Sequence, residues 1–260
     1  MGSTIKTIAR RIRAACNYLY FRWHTRHSPP SGFFLQIYKA LNYSRASIRF
    51  MEDAAKASPG AGVYESAGLL LDCSMNPHDV ILDVGGYNGE WAAQMRSRHD
   101  ALVHVFEPNP RLLDVLRGEF SHDPKVVLHP FGLAAKNTIG RLSLAGMGSS
   151  VYSESPSERV ASEHQEIPLR DVKEVFDELG LDQVALLKVN IEGGEYDLLS
   201  RMISCGLHTR CHYIRVQFHE WYGGAYRLRK RIVTELARTH DPEWSYPFVW
   251  ESWRRKAAVQ

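Results

Sequence analysis

One stretch constrains this chain more than any other: VILDVGGYNGEW, residues 80–91. Val80, Ile81 and Leu82 run through Asp83 and Val84 into a turn carrying Gly85, Gly86 and Gly89. A short apolar run bounded by glycines reads as a strand buried on both faces. Similar runs recur downstream. Strands are expected at 80–84, 102–106, 125–129, 184–189 and 213–218, with a short one at 141–145 and a last one near 246–250. Helical patterns fall between them at 91–98, 111–120, 172–179, 196–203 and 226–238, and a short helix is expected over 64–72. The polar stretch 146–165 reads as a mobile loop. Strand–helix alternation predicts parallel strands joined by crossover helices, an α/β doubly wound open sheet.

Charge divides the chain. Nine of its 32 basic residues precede Glu52, and none of its 29 acidic ones does, so the remainder carries a formal −6. Residues 4–23 read as a basic amphipathic helix, with Ile5, Ile8, Ile12, Leu19 and Trp23 on one stripe. Two readings stay open for it: packing on its own domain or a second subunit, giving a homo-oligomer, or attachment to an anionic membrane surface. SPPSG at 28–32 breaks the helix. The expected organisation is a basic arm over 1–27, a linker and helical extension over 28–62, and a catalytic domain over 63–260. An acidic body argues against general nucleic-acid binding. The four cysteines have no CxxC spacing, and no signal peptide or membrane-spanning run is visible. The expected location is cytoplasmic, at the inner face of a membrane if the arm binds there.

In doubly wound sheets, ligands bind outside the carboxyl ends of the strands. The first such end lacks the phosphate fingerprint, because Tyr87 and Glu90 stand where GxGxxG needs glycine. Asp83 beside the turn suits an ammonium group. At the second end, in VHVFEPNP, Glu107 is placed to accept both hydroxyls of a ribose. A helix-capping acid before Pro108 is the plainer alternative. An amino acid at one strand end and a ribose at the next is how S-adenosylmethionine is held.

The segments DVGGYNGEW, VHVFEPNP, HPFGLAA, GMGSSVY, IPLRDV and LLKVNIEGGEYDLL resemble, in order and spacing, the motifs of the FkbM family of methyltransferases, over about residues 63–250. The resemblance implies a class I methyltransferase (Rossmann-like) seven-stranded sheet with its last strand antiparallel, preceded here by N-terminal helices. It implies transfer of a methyl group from S-adenosylmethionine, leaving S-adenosylhomocysteine, to a hydroxyl of a sugar, glycan or glycosylated metabolite. It places Asp83, Gly85, Asn88, Gly89 and Glu107 along the cofactor, with Phe131, Gly132 and Leu133 flanking the adenine. The chain departs from the family in carrying Asn190 where Asp is usual. Asn can orient a hydroxyl but cannot remove its proton. That leaves Glu192, which also reads as a helix-capping acid, and His219 as candidate proton acceptors. The ordinary imidazole value favours His219. No bound metal is expected. Lys188 is given no chemical role beyond anchoring the loop. Trp221, Trp244, Trp250 and Trp253 suit stacking on sugar rings or filling the core. Two other classes stay open: a non-catalytic cofactor-binding scaffold and a nicotinamide-dependent oxidoreductase.

Overall fold

The computed structural model describes residues 46, 47, 49, 50, 52, 53, 68–143 and 164–257. The arm, the linker and most of the loop expected at 146–165 lie outside the described residues. The chain divides into two units, Met1–Ser66 and Ala67–Gln260. In the first unit the six described residues are helical.

The second unit opens with a short helix α1 (Gly68–Leu71). It continues through β1 (Val80–Val84), α2 (Glu90–Arg98), β2 (Leu102–Phe106), α3 (Pro110–Glu119) and β3 (Val126–His129). Then come β4 (Gly132–Ala134), β5 (Thr138–Ser143), β6 (His164–Asp171), α4 (Val172–Glu178), β7 (Val184–Val189) and α5 (Glu195–Ser204). The remainder is a 3-10 turn (Leu207–Arg210), β8 (Cys211–Val216), α6 (Ala225–Thr239), β9 (His240–Tyr246) and β10 (Trp250–Arg255). Seven strands form one sheet in the order β3-β2-β1-β7-β8-β10-β9. The neighbours from β3 to β8 pair in parallel, and the last strand, β10, runs antiparallel to both β8 and β9. This is the class I methyltransferase architecture.

Alternation along each strand feeds two cores. Ile81, Val103, Val105 and Leu186 pack with Ala92, Met95 and Leu116 on one face. Leu82, Val84, Leu187 and Val189 pack with Val175, Tyr196, Leu199 and Leu236 on the other. Helix starts are locally encoded. Asn109 accepts from Arg111 N, with Pro110 opening α3, and Asp171 accepts from Lys173 N at the start of α4.

Two expectations need correction. The short strand expected at 141–145 is β5 of a second sheet, β4-β6-β5, whose other strands lie outside the expected elements, β6 beginning at 164–165 inside the stretch that reads as a loop. Pro168 masks β6, although Ile167 and Leu169 flank it with strand spacing. β4 pairs only with Leu169–Asp171, so on that side Pro168 has no neighbour to disappoint. The strand expected near 246–250 is instead the turn of a hairpin. Val249 N donates to Tyr246 O at 2.9 Å and Phe248 takes φ 61°. Its flanking strands are rich in polar residues: β9 is an edge strand, and in β10 the buried Glu251 and Ser252 are paired with Arg229 and Arg215.

Candidate functional site

At the carboxyl ends of β1, β2 and β7 lies a cavity of about 660 Å³, within the usual range for small-molecule sites. Its wall includes Gly85, Gly86, Tyr87, Asn88, Trp91, Glu107, Gly132, Leu133, Lys188, Asn190, Glu192 and Trp250. Of the residues expected around the ligand, Asp83, Gly89, Phe131 and His219 stand outside this wall.

The turn after β1 is dictated by its crowding against β7. Gly85 takes φ +87°, and a Cβ there would lie 2.0 Å from Asn190 O. Only glycine meets both demands. Register then makes Asp83 and Lys188 direct cross-strand partners. Lys188 Nζ donates to Asp83 Oδ1 at 2.8 Å and to Gly85 O at 2.8 Å, so it anchors the turn. Asp83 is fully buried, and burial, only partly offset by Lys188, pushes its carboxyl above the usual range. Its Oδ2 has no partner among the described residues. Gly89, at φ +85°, starts α2 against Leu116 and Phe120.

Glu107 is held differently. Its Oε2 accepts from Tyr87 N at 3.0 Å and its Oε1 from Asn109 N at 2.9 Å. Burial pushes its carboxyl up to about 7, against the pull of these two amides. Each oxygen keeps a lone pair for a further donor. Phe131 sits behind the cavity wall, tilted against Phe106 and His129 and under the Arg170 guanidinium.

On the β7 and β8 side, Glu192 faces the cavity from a strained backbone, φ +48°. Its Oε1 is 3.3 Å from His219 Nε2. His219 Nδ1 lies 2.8 Å from Glu195 Oε1, which also accepts from His219 N at 2.9 Å. Gly193 N donates to Glu195 Oε2 at 3.0 Å. Burial opposes a charge on His219, but the hydrogen bonds and fields of Glu192 and Glu195 outweigh it and raise the imidazole to about 10. Asn190 N donates to Val84 O at 3.0 Å, and its Oδ1 is buried with no partner among the described residues. Among the described residues, no three His, Cys, Asp or Glu side chains gather as a metal site.

Sequence reasoning missed Tyr87, Trp91 and Leu70 as cavity residues. Leu70 O accepts from both Trp91 Nε1 and Arg215 Nη1, which brings α1 to the cavity edge. A tryptophan two residues past the last glycine of the turn was the available signal. The Leu70 contact, which spans 145 residues to Arg215, left none.

The fit to S-adenosylmethionine rests on these groups. Glu107 has open acceptor positions, the turn after β1 exposes backbone at Gly85 and Gly86, and Asp83 has an orphaned carboxylate oxygen behind that turn.

Among solved structures, the chain is similar to the S-adenosylhomocysteine-bound methyltransferase of Podospora anserina, at 13% identity and TM-score 0.40, covering 89% of this chain and 100% of that one. It is also similar to Aeropyrum pernix fibrillarin with natively bound S-adenosyl-L-methionine, at 12% identity and TM-score 0.40, covering 74% and 73%. An rRNA methylase of Streptococcus thermophilus gives 10% identity and TM-score 0.40, covering 82% and 98%. No curated protein sequence matches the chain. The sequence profile described as "Methyltransferase FkbM domain" matches residues 83–252, well over half of the chain. That match removes the nicotinamide alternative. With the strand order and the cofactor cradle, it leads to one conclusion: the chain belongs to the FkbM methyltransferase domain family, and its cofactor is S-adenosylmethionine.

Proposed function

We propose that this protein transfers the methyl group of S-adenosylmethionine to a hydroxyl oxygen of a sugar or glycan. The observation that carries the reading is a pair of carboxylates facing one cavity from different strand ends. Glu107 has both oxygens oriented by backbone amides, and Glu192 stands beyond Asn190. Glu107 accepts the two ribose hydroxyls. Gly85, Gly86 and Asn88 follow the amino-acid end, and Gly132 and Leu133 flank the adenine. Asp83 acts from behind the wall, through Lys188 and the turn that Lys188 anchors. Gly89 and Phe131 shape the site from outside it.

The bound cofactor supplies an electrophilic methyl carbon on a sulfonium centre. As the acceptor oxygen takes that carbon, Glu192 receives the hydroxyl proton and passes it to solvent, and Asn190 orients the acceptor. This reverses the preference for His219 as base. A group raised to about 10 is already protonated at neutral pH and has no room for the proton. Trp91 and Trp250 line the cavity, and aromatic lining suits a sugar ring as acceptor. Among the described residues, no helix is long and apolar enough to cross a membrane. We also propose that the basic arm over 4–23 attaches the enzyme to an anionic lipid surface, on the strength of its charge and apolar stripe. Liposome flotation should lose the protein when residues 1–27 are removed; equal behaviour of both forms would make the arm a packing or oligomerisation element.

The test of the activity is transfer of tritiated methyl from S-adenosylmethionine to free sugars, nucleoside diphosphate sugars and glycan fractions. Label in an alkali-stable ether is expected. Label released by alkali would mean a carboxyl acceptor, and label on RNA would overturn the sugar reading. S-adenosylhomocysteine binding in calorimetry with no transfer to any fraction would favour a non-catalytic scaffold.

A further inference from the structure

Glu195 has no place on the cavity wall and is fully buried, yet it takes three hydrogen bonds. It is the first residue of α5, where an acid is commonly a helix cap. A plain cap spends its oxygens on its own helix end. Here only the Gly193 amide is local. The other two donors, His219 N and Nδ1, come from 24 residues away, in the loop after β8.

The turn that Glu195 braces is under strain. Glu192 takes φ +48° and Gly193 φ +101°, and a non-glycine residue in that region persists only where its surroundings over-determine it. Glu195 Oε2 holds the strained turn at Gly193, while Oε1 holds the His219 backbone and ring. Tyr196 adds a second tie between the same loops, its hydroxyl donating to His219 O at 2.8 Å. Both ring nitrogens of His219 face carboxylate oxygens, and an ionised carboxylate only accepts. With both carboxylates in the ionised form, both nitrogens carry hydrogens.

We propose that Glu195 is a positioning residue: its buried carboxylate ties the loop after β7 to the loop after β8 and keeps His219 an imidazolium, whose Nε2–H aims Glu192 at the acceptor. The functional half of this rests on the reading of Glu192 as the group that meets the hydroxyl. His219 then stays charged throughout turnover and separates two carboxylates that would otherwise repel across the loops.

The test uses the full chain labelled with ¹⁵N, read by NMR at the His219 ring with and without saturating S-adenosylhomocysteine. In the wild type both ring nitrogens should remain protonated through pH 8. In Glu195→Gln the ring should be neutral at pH 8, with S-adenosylhomocysteine affinity within about twofold of wild type. A wild-type ring already neutral at pH 8, or a Glu195→Gln ring still charged there, overturns the proposal. Should Glu195→Gln fail to fold, Glu192→Gln decides from the other side: His219 should stay charged on Glu195 alone, and a neutral ring would show that Glu192 had held the charge. With an acceptor from the tritium assay, Glu195→Gln should lower kcat by roughly 10–100-fold at unchanged cofactor affinity, a fraction of the full general-base contribution; unchanged turnover refutes the positioning role. Failure of the wild type to bind S-adenosylhomocysteine would sink the cofactor reading instead, leaving the ligand-free His219 titration to be judged by itself.

Discussion

Glu107 and Glu195 are both buried glutamates at carboxyl ends of the same sheet, yet the fold treats them in opposite ways. Glu107 meets only neutral backbone amides, and burial pushes it up to about 7. Glu195 meets an amide on one oxygen and both an amide and an imidazole on the other, and that imidazole is raised to about 10. The first arrangement leaves a carboxylate with spare lone pairs and a charge that changes near neutrality. The second locks a charge in place. For His219 the raised value means stability that is fully present below about 6.5 and lost only as pH rises through about 10. For Glu107 the folded chain holds its proton more tightly than the unfolded chain. That contribution is present below about 4.5 and lost as pH rises through about 7. A donor-rich ligand repairs the first case, and nothing needs to repair the second.

The largest effect that could break this contrast lies in Glu192, on the locked side. Glu192→Gln keeps the shape of the side chain but cannot take a proton. Turnover should fall by about 10²–10⁴-fold, the usual span of general-base help, with S-adenosylhomocysteine affinity unchanged. A variant near wild-type rate in the tritium assay would mean that alignment alone carries the reaction. A smaller effect is expected at Glu107. Glu107→Ala removes hydrogen bonds to a charged acceptor, which should cost about 1.5–3 kcal/mol in cofactor binding by calorimetry. Unchanged affinity would mean that the ribose is held elsewhere.

The same contrast explains how much the sequence could reveal. Strands β1, β2 and β7 begin and end where their apolar runs do, because a strand buried on both faces writes its limits into composition. Of the small sheet only β5 was marked, by the short strand expected at 141–145 and found at Thr138–Ser143; β4, β6 and the β9–β10 hairpin left no such signal. Their strands are short, partly exposed or built on buried polar pairs such as Arg215 with Ser252. Within the site, Glu107, Asn190 and Glu192 could be placed at the cavity because the first two directly follow recognisable strands and Glu192 stands two residues beyond Asn190. The partner of Lys188 was not. It depends on the register of β1 against β7, across 105 residues. Nor was the charge on His219, which needs one carboxylate from the loop after β7 and another from the start of α5. Local chemistry can be read along the chain, whereas the protonation state it ends up with is set by neighbours that only folding brings near.

The smallest effect is the most diagnostic, since it asks for pH dependence on one side of the cavity only. Without ligand, Glu107 is raised from about 4.5 to about 7, mainly by burial. Ribose hydroxyls donate to the ionised form, so binding should pull the group back down and release a proton. Binding and ionisation are then linked. S-adenosylhomocysteine affinity should be greatest above about pH 7 and weaken progressively as pH falls below it, approaching a tenfold loss for each pH unit while the bound form stays ionised. Calorimetry in buffers of different ionisation enthalpy should show a proton leaving the protein on binding near pH 6. Glu107→Gln cannot ionise, so its weaker affinity should be flat over the same range. His219 stays charged throughout this window and contributes no slope of its own. If wild-type affinity is also flat between pH 5.5 and 8, a range chosen to bracket the value of about 7, then Glu107 is ionised before the cofactor arrives, and the two glutamates are more alike than their partners suggest.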